Sequence, residues 1–265
     1  MRPERMAHRW RRRHGKWLAV LPELVRQSRR RGGAEELHQA RVTLRRLRLS
    51  VRLGRAAFPA SAIVRFRSWA AQVARATSPV RDLDIAIEWL RAAKAGPALV
   101  KECLGRRNSV WRRRRALLVP PPHRLPAHLM AQGGEMKRWA AALAKRYARM
   151  EARCREYLRT HLPRFFQLAE EDRHEFRRRV RRWRYLREQM LPTRILEKDV
   201  LCQRLLAVQE ALGEIQNLDL VASALQRFSP STERAELQVL LAHQQRYQLE
   251  ASRKALARLK PWLRG

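Results

Sequence analysis

The stretch HQARVTLRRLR, which begins at His38, sets one imidazole and four guanidinium groups, Arg41, Arg45, Arg46 and Arg48, within a few helical turns. A guanidinium is permanently charged and offers a rigid fork of N–H donors that matches phosphate or carboxylate oxygens in bidentate fashion. Residues on an α-helix advance about 100° each. His38, Arg41, Arg45 and Arg48 therefore fall within a stripe about 80° wide, which Arg52 extends. The apolar residues Leu37, Leu44, Leu47 and Val51 lie along the adjacent edge. A solvated helix normally mixes charge signs to gain i,i+4 pairs, whereas this stripe keeps one sign over about 15 Å. Such a row is stable only opposite an anion or carboxylates, so it reads as the wall of a groove.

The pattern HxxRxxxRRxR returns in HEFRRRVRRWR at His174, with Arg177, Arg181, Arg182 and Arg184 in the places of Arg41, Arg45, Arg46 and Arg48, an offset of 136 (174 less 38). Downstream, VRDLD from Val80 matches IQNLD from Ile215 at an offset of 135 (215 less 80). Two motifs holding nearly one offset identify an internal duplication. Phe176, Val180 and Trp183 repeat the apolar edge, with Arg187 in place of Val51 and Glu188 in place of Arg52. Asp82 and Asp84, with Asn217 and Asp219, are candidates to accept hydrogen bonds from the stripes and fix the arginine rotamers. The alternative is that the two aspartates simply favour a helix start, with Ser78 as N-cap and Pro79 in the first turn. His38 and His174 each open a cationic row, which favours the neutral ring. A bound phosphate chain reverses that preference and lets both ring nitrogens donate.

The elements that must hold these side chains are helical. Leu, Ala, Arg and Glu dominate with a helical period, and β-branched residues never alternate for long with polar ones. Glycine and proline punctuation predicts long helices over residues 4–31 and 135–161, before the two HxxR helices, and over 98–118 and 232–260, closing each half. A Pro/Gly-rich linker, 119–134, divides a first repeat, 1–118, from a second, 135–265. The expected fold is all-α: two tandem four-helix-type bundles related by a pseudo-twofold axis, with a basic groove or channel between them.

The 265 residues, 45% of them hydrophobic, suffice for real cores. Lys and Arg total 59 against 24 Asp and Glu, a formal net charge of +35, so the partner should be a polyanion: nucleic acid, polyphosphate or an anionic membrane surface. All but eight of those 59 are arginine, a bias that drift in a GC-rich genome also produces. Composition therefore argues for charge and not for arginine chemistry. Cys103, Cys154 and Cys202 lie far apart with no CxxC spacing, which fits a reduced compartment without a disulfide framework or zinc site. No run approaches the ~20 apolar residues of a membrane span, and WLAVL at Trp17 is too short for a signal-peptide core. A soluble, cytoplasmic protein is expected.

The doubled pattern resembles the CHAD domain, a histidine-bearing α-helical family that binds inorganic polyphosphate. The resemblance rests on LHQARVTLRRLRLSVRL, SPVRDLDIAIEWL, HEFRRRVRRWRYLRE and LGEIQNLDLVASAL, and spans roughly residues 10–260. It implies a polyphosphate site between two bundles, with phosphate-binding roles for His38, Arg41, Arg45, Arg48, His174, Arg177, Arg181 and Arg184. Arg46 and Arg182 would assist, and Arg52 continues the row; Arg9, Arg13 and Lys16 of the first helix could line the site. Association with polyphosphate granules is implied too. The second copy carries Gln216-Asn217 where the first has Arg81-Asp82, which weakens its carboxylate clamp.

Family members fused to triphosphate-processing tunnel enzymes carry an ExExK strand motif that is missing here. RHG at Arg13 is similar to the histidine phosphatase motif but falls in a basic helix rather than after a strand. With no Gly-rich phosphate loop, Asp cluster or nucleophile–base pair, a non-catalytic binder without cofactor or metal is expected. Nucleic acid is the rival ligand. Single-strand binders interleave aromatics with basic residues, whereas Trp10 and Trp17 fall on apolar positions and only Tyr185 edges a stripe. Weak, non-specific nucleic-acid binding at low salt is expected regardless. A membrane-surface or granule-coat role is a third reading, opposed by the need for the adjacent apolar edge in the core; no membrane insertion is expected.

Overall fold

Proline in the first turn and glycine after the last bound the first helix, α1 (Pro3–Arg31). Gly32 closes it in the left-handed region at φ 63°, its N–H donating to the Ser28 carbonyl. A Cβ there would also run into the Trp111 indole, so only glycine meets both demands. Then follow α2 (Ala34–Leu53), α3 (Ala60–Ala92), α4 (Pro97–Arg114), α5 (Gly134–His161), α6 (Glu170–Met190), the single turn α7 (Thr193–Leu196), α8 (Val200–Leu225) and α9 (Thr232–Leu259), with short 3-10 turns between some of them. This computed structural model describes residues 2–121 and 134–264, with side chains from residue 137 in the second segment. The architecture is all-α, with no strand among the described residues. Residues 122–133 of the expected linker lie outside the described residues.

One local expectation is overturned. Ser78 and Pro79 do not begin a helix; α3 runs through them without a break. Pro79 costs α3 one backbone hydrogen bond, but an unbroken row of buried side chains, Phe66, Trp69, Ala70, Val73, Ala76 and Val80, crosses the spot. Tertiary packing outweighs the local punctuation. The Thr77 and Ser78 hydroxyls turn back to donate to the carbonyls of Val73 and Ala74 at 2.8 and 2.9 Å.

Three cores hold the helices. One lies within the first half, where Leu21 and Val25 of α1 meet Leu37, Leu44, Leu47 and Val51 of α2 and the buried row of α3. The other two draw on both halves. Met6, Ala7 and Trp10 of α1 and Leu49 and Leu53 of α2 pack with Phe176, Val180 and Trp183 of α6 and with α5 and α8. Ala86, Ile87 and Leu90 of α3 pack with Leu218, Val221 and Leu225 of α8. Each apolar edge read from the sequence is thus buried, and α2 contacts α6 directly. The cationic edges beside them are thereby set against the junction of the halves.

His14 of the RHG stretch is buried, stacked on Trp10 at 4.7 Å and within hydrogen-bond distance of Ser50 Oγ at 3.0 Å. Burial lowers its pKa to about 4, so the ring is neutral. The three cysteines are buried and unpaired, and burial pushes the Cys154 thiol up to about 11 and the Cys202 thiol up to about 12. Among the described residues no helix is long and apolar enough to cross a membrane, and no cluster of His, Cys, Asp or Glu could hold a metal ion.

Candidate functional site

Arg41 and Arg45 of α2 and Arg177 and Arg181 of α6 come together at the junction. Arg177 and Arg181 are each pushed below the ordinary arginine pKa first by burial and next by the Arg45 guanidinium; for Arg181 the third cause is Arg177. Burial, followed by Arg45, does the same to Arg41. Two rows contributed by different halves therefore crowd like charges into a half-buried space. The guanidinium groups of Arg45 and Arg181 have no hydrogen bond or ion pair with any described residue, and Nε of Arg45 and of Arg177 is buried without an acceptor.

Neutral acceptors hold the other two in place. Arg41 donates from Nη1 to Thr77 Oγ1 at 3.0 Å and to Ser78 Oγ at 2.8 Å. Because each hydroxyl has committed its one proton to a backbone carbonyl, its lone pairs are left to face Arg41. Arg177 donates from Nη1 to Gln216 Oε1 at 2.6 Å. At Gly213 a Cβ would lie 3.1 Å from Arg177 Nη2. Ser78 and Gly213 stand in register in the repeat, and each serves the arginine that is equivalent in its half. Sequence reasoning missed Thr77, Ser78, Gln216 and Gly213, although the 135-residue offset would have paired Ser78 with Gly213.

His38 lies at one end of this cluster, half-buried. Its pKa is lowered by burial, then by Arg81, with Arg45 and Arg41 adding to the effect against Glu35. Arg81 is thus a further cation of the site that the motif reading passed over. Tyr185 is buried beside the cluster, with Arg46 and Arg184 over its ring at 5.4 and 4.7 Å.

The remaining sequence-predicted residues are placed elsewhere or already neutralised. Glu188 forms an ion pair with Arg184 and a longer one with Arg46, at 3.5 Å, so one carboxylate occupies two members of the rows. Arg187, in the place of Val51, is satisfied by Asp199 at 2.7 Å and Glu151 at 3.0 Å. Arg48 is exposed and its near charge is Arg67 of α3. Arg52 and Arg182 face α5, away from the four converging arginines. His174 reaches back to Glu170 at 3.4 Å. Arg9 and Arg13 serve the end of α6, Arg9 donating to the Met190 carbonyl and Arg13 to those of Glu188 and Leu191.

The expected carboxylate clamp takes a different form. Asp82 is half-buried; burial raises its pKa against the opposing pull of Arg41, Arg81 and Arg227. It is near Arg41 but makes no hydrogen bond to it, since Thr77 and Ser78 take that place. Asp84 belongs to no stripe arginine: it is buried and accepts from Arg107 Nε of α4 at 2.9 Å, while Arg107 also donates to the Gly32 carbonyl. Asp219 accepts from Gln245 of α9 at 3.1 Å. Asn217 reaches only Glu214, at 3.5 Å. Polar side chains spread over two turns of a helix cannot all face one partner, and Asp84 of α3 and Asp219 of α8 fall on the sides of α4 and α9.

The site can therefore receive several oxyanions without first displacing a carboxylate from Arg41, Arg45, Arg177 or Arg181. The model of one protein family, the CHAD domain, matches residues 11–226. Among solved structures, the chain is similar to the crystal structure of the CHAD domain from the plant Ricinus communis, with a TM-score of 0.59, 18% identity, and coverage of 95% of this chain and 91% of that one. It is also similar to PptA from Streptomyces chartreusis, with a TM-score of 0.55, 15% identity, and coverage of 97% and 98% respectively. No curated protein sequence matches.

Proposed function

Taking as premise that the chain belongs to the CHAD-domain family, we propose that it binds inorganic polyphosphate, without catalysing its turnover, at the arginine cluster between α2 and α6. The observation that carries this reading is the set of four converging guanidiniums, two of them without any hydrogen-bonding partner among the described residues. Removing an unpaired cation from water costs several kcal/mol, and like charges nearby add to that cost. A ligand bearing a negative charge at every repeating unit offsets both. Charge-assisted hydrogen bonds from arginine forks to phosphate oxygens contribute about 1.5–3 kcal/mol each.

Polyphosphate suits this environment better than nucleic acid because nothing in the ligand needs a stacking surface. The ring nearest the cluster, Tyr185, is only 5% exposed and already covered by two guanidiniums. No cofactor or metal enters the proposal, and the protein would act in the cytoplasm, at polyphosphate granules. Labelled long-chain polyphosphate, bound at physiological salt and competed with unlabelled polyphosphate, single-stranded DNA and RNA, tests it. Polyphosphate should displace the label at least about ten-fold better per phosphate. Equal displacement would transfer the site to nucleic-acid backbones in general.

A further inference from the structure

Arg52 and Arg182 point to a second place where this molecule gathers positive charge. The end of α2 is packed through Leu49 and Leu53 into the core that holds Leu143, Met150 and Cys154 of α5. That packing sets Arg52, and Arg55 just beyond the helix, beside one face of α5. On α5, Arg146, Arg149 and Arg153 recur at i, i+3 and i+7 and so share that face. Arg182 follows Arg181 by one residue and projects about 100° further round α6. It turns to the same region: burial, then Arg52 and Arg179 against the Cys154 thiol, lower its pKa. Burial, then Arg55, Arg149, Arg52 and Arg153, lower that of Arg146.

None of these six guanidinium groups has a hydrogen bond or ion pair with a described residue, and Nε of Arg146 is buried without an acceptor. The carboxylates nearby are engaged elsewhere. Glu175 pairs with Arg178 and Arg179, and Glu151 pairs with Arg187 and accepts from Trp183. The charges that bear on Arg41, Arg177 and Arg181 include none of the six. The two gatherings are therefore separate.

We propose that the six-arginine face formed by the end of α2, by α5 and by Arg182 of α6 is a second oxyanion site that takes a run of phosphate groups. For the natural ligand it rests on the polyphosphate reading above; as a phosphate site it stands alone. Trp10 and Trp139 at this end lie in the core, and the half-buried Tyr157 is stacked on His161 and covered by Arg179, so a nucleotide base finds no platform here. Three forks along one helical face, with Arg52, Arg55 and Arg182 opposite, instead match an evenly charged chain. A long polyphosphate held at the central cluster and at this face gains avidity that a short one lacks.

Calorimetric titration of the full chain with sodium tripolyphosphate reads the number of sites. Two molecules should bind to the native protein. One should bind to the Arg146→Gln/Arg149→Gln/Arg153→Gln variant, and one to the Arg45→Gln/Arg181→Gln variant. Affinity for long-chain polyphosphate should fall at least about ten-fold in the α5 variant. If that variant fails to fold, Arg149→Gln/Arg153→Gln, altering two exposed side chains, should still weaken the second site several-fold. A single site in the native protein, or two undiminished sites in the α5 variants, would overturn the proposal. So would displacement of tripolyphosphate from this face by single-stranded oligonucleotide at equal phosphate. Loss of a site in the α5 variant with no loss in Arg45→Gln/Arg181→Gln would instead sink the central-cluster reading and leave this one standing.

Discussion

His38 couples the charge of the site to solution pH. In the protein without ligand, burial and the neighbouring Arg81, Arg45 and Arg41 hold its pKa below the ordinary histidine value, so the ring is neutral at pH 7. A bound polyanion favours the imidazolium and raises that pKa, so binding takes up a proton. Affinity must then rise as pH falls through the bound-state value and level off below the free-state value. Long-chain polyphosphate should bind roughly three- to ten-fold more tightly at pH 5.5 than at pH 7.5, and His38→Asn should flatten a clear part of that rise. Equal pH dependence in the two proteins would remove His38 from the site. The same residue scale shows where sequence reasoning ran short. Helical spacing put His38, Arg41, Arg45 and Arg48 on one side of α2, but it could not say which neighbour each would meet at its own height. Arg48 meets Arg67, Arg184 meets Glu188, and Arg52 meets α5.

At the scale of elements, one buried ion pair joins α4 to α3, beside the packing of Leu99, Cys103 and Trp111 in the cores. Arg107 is among the few buried charged residues; it holds Asp84 of α3 and the carbonyl of Gly32 at the end of α1. Removing one member of a buried pair leaves the other charged and unsatisfied, at a cost of about 3–5 kcal/mol. Arg107→Met should therefore lower the urea midpoint sharply, whereas Arg107→Met/Asp84→Leu should recover most of the loss; equal midpoints in the two would show that Asp84 gains nothing from the pair. The helices themselves were largely legible, since their apolar periodicity, Pro3 and Gly32 follow local rules. The partner of Asp84 was not, because it depends on a helix reached after a turn and on a backbone carbonyl far away in sequence. The continuity of α3 through Pro79 was hidden for a related reason: the row of buried side chains that overrides the proline becomes visible only once α2 and α4 are in place.

Across the whole molecule, a net charge of +35 is shared unevenly between groups that are paired, groups that are solvated and groups that are neither. The last kind matters most. Two of the three cores cross from one half of the chain to the other, and that crossing presses the cationic edges of α2 and α6 together. The duplication announced the two edges, but their meeting is a property of the assembled cores. If binding came from net charge alone, any two arginines would be worth the same. The direct test is to titrate labelled long-chain polyphosphate, at about 150 mM salt where distant charges are screened, with the native protein, Arg45→Gln/Arg181→Gln, and Arg29→Gln/Arg30→Gln at the exposed end of α1. The central pair should cost at least about 30-fold in affinity and the surface pair no more than about three-fold. Equal losses from the two pairs would contradict a built site and leave only a diffusely basic surface.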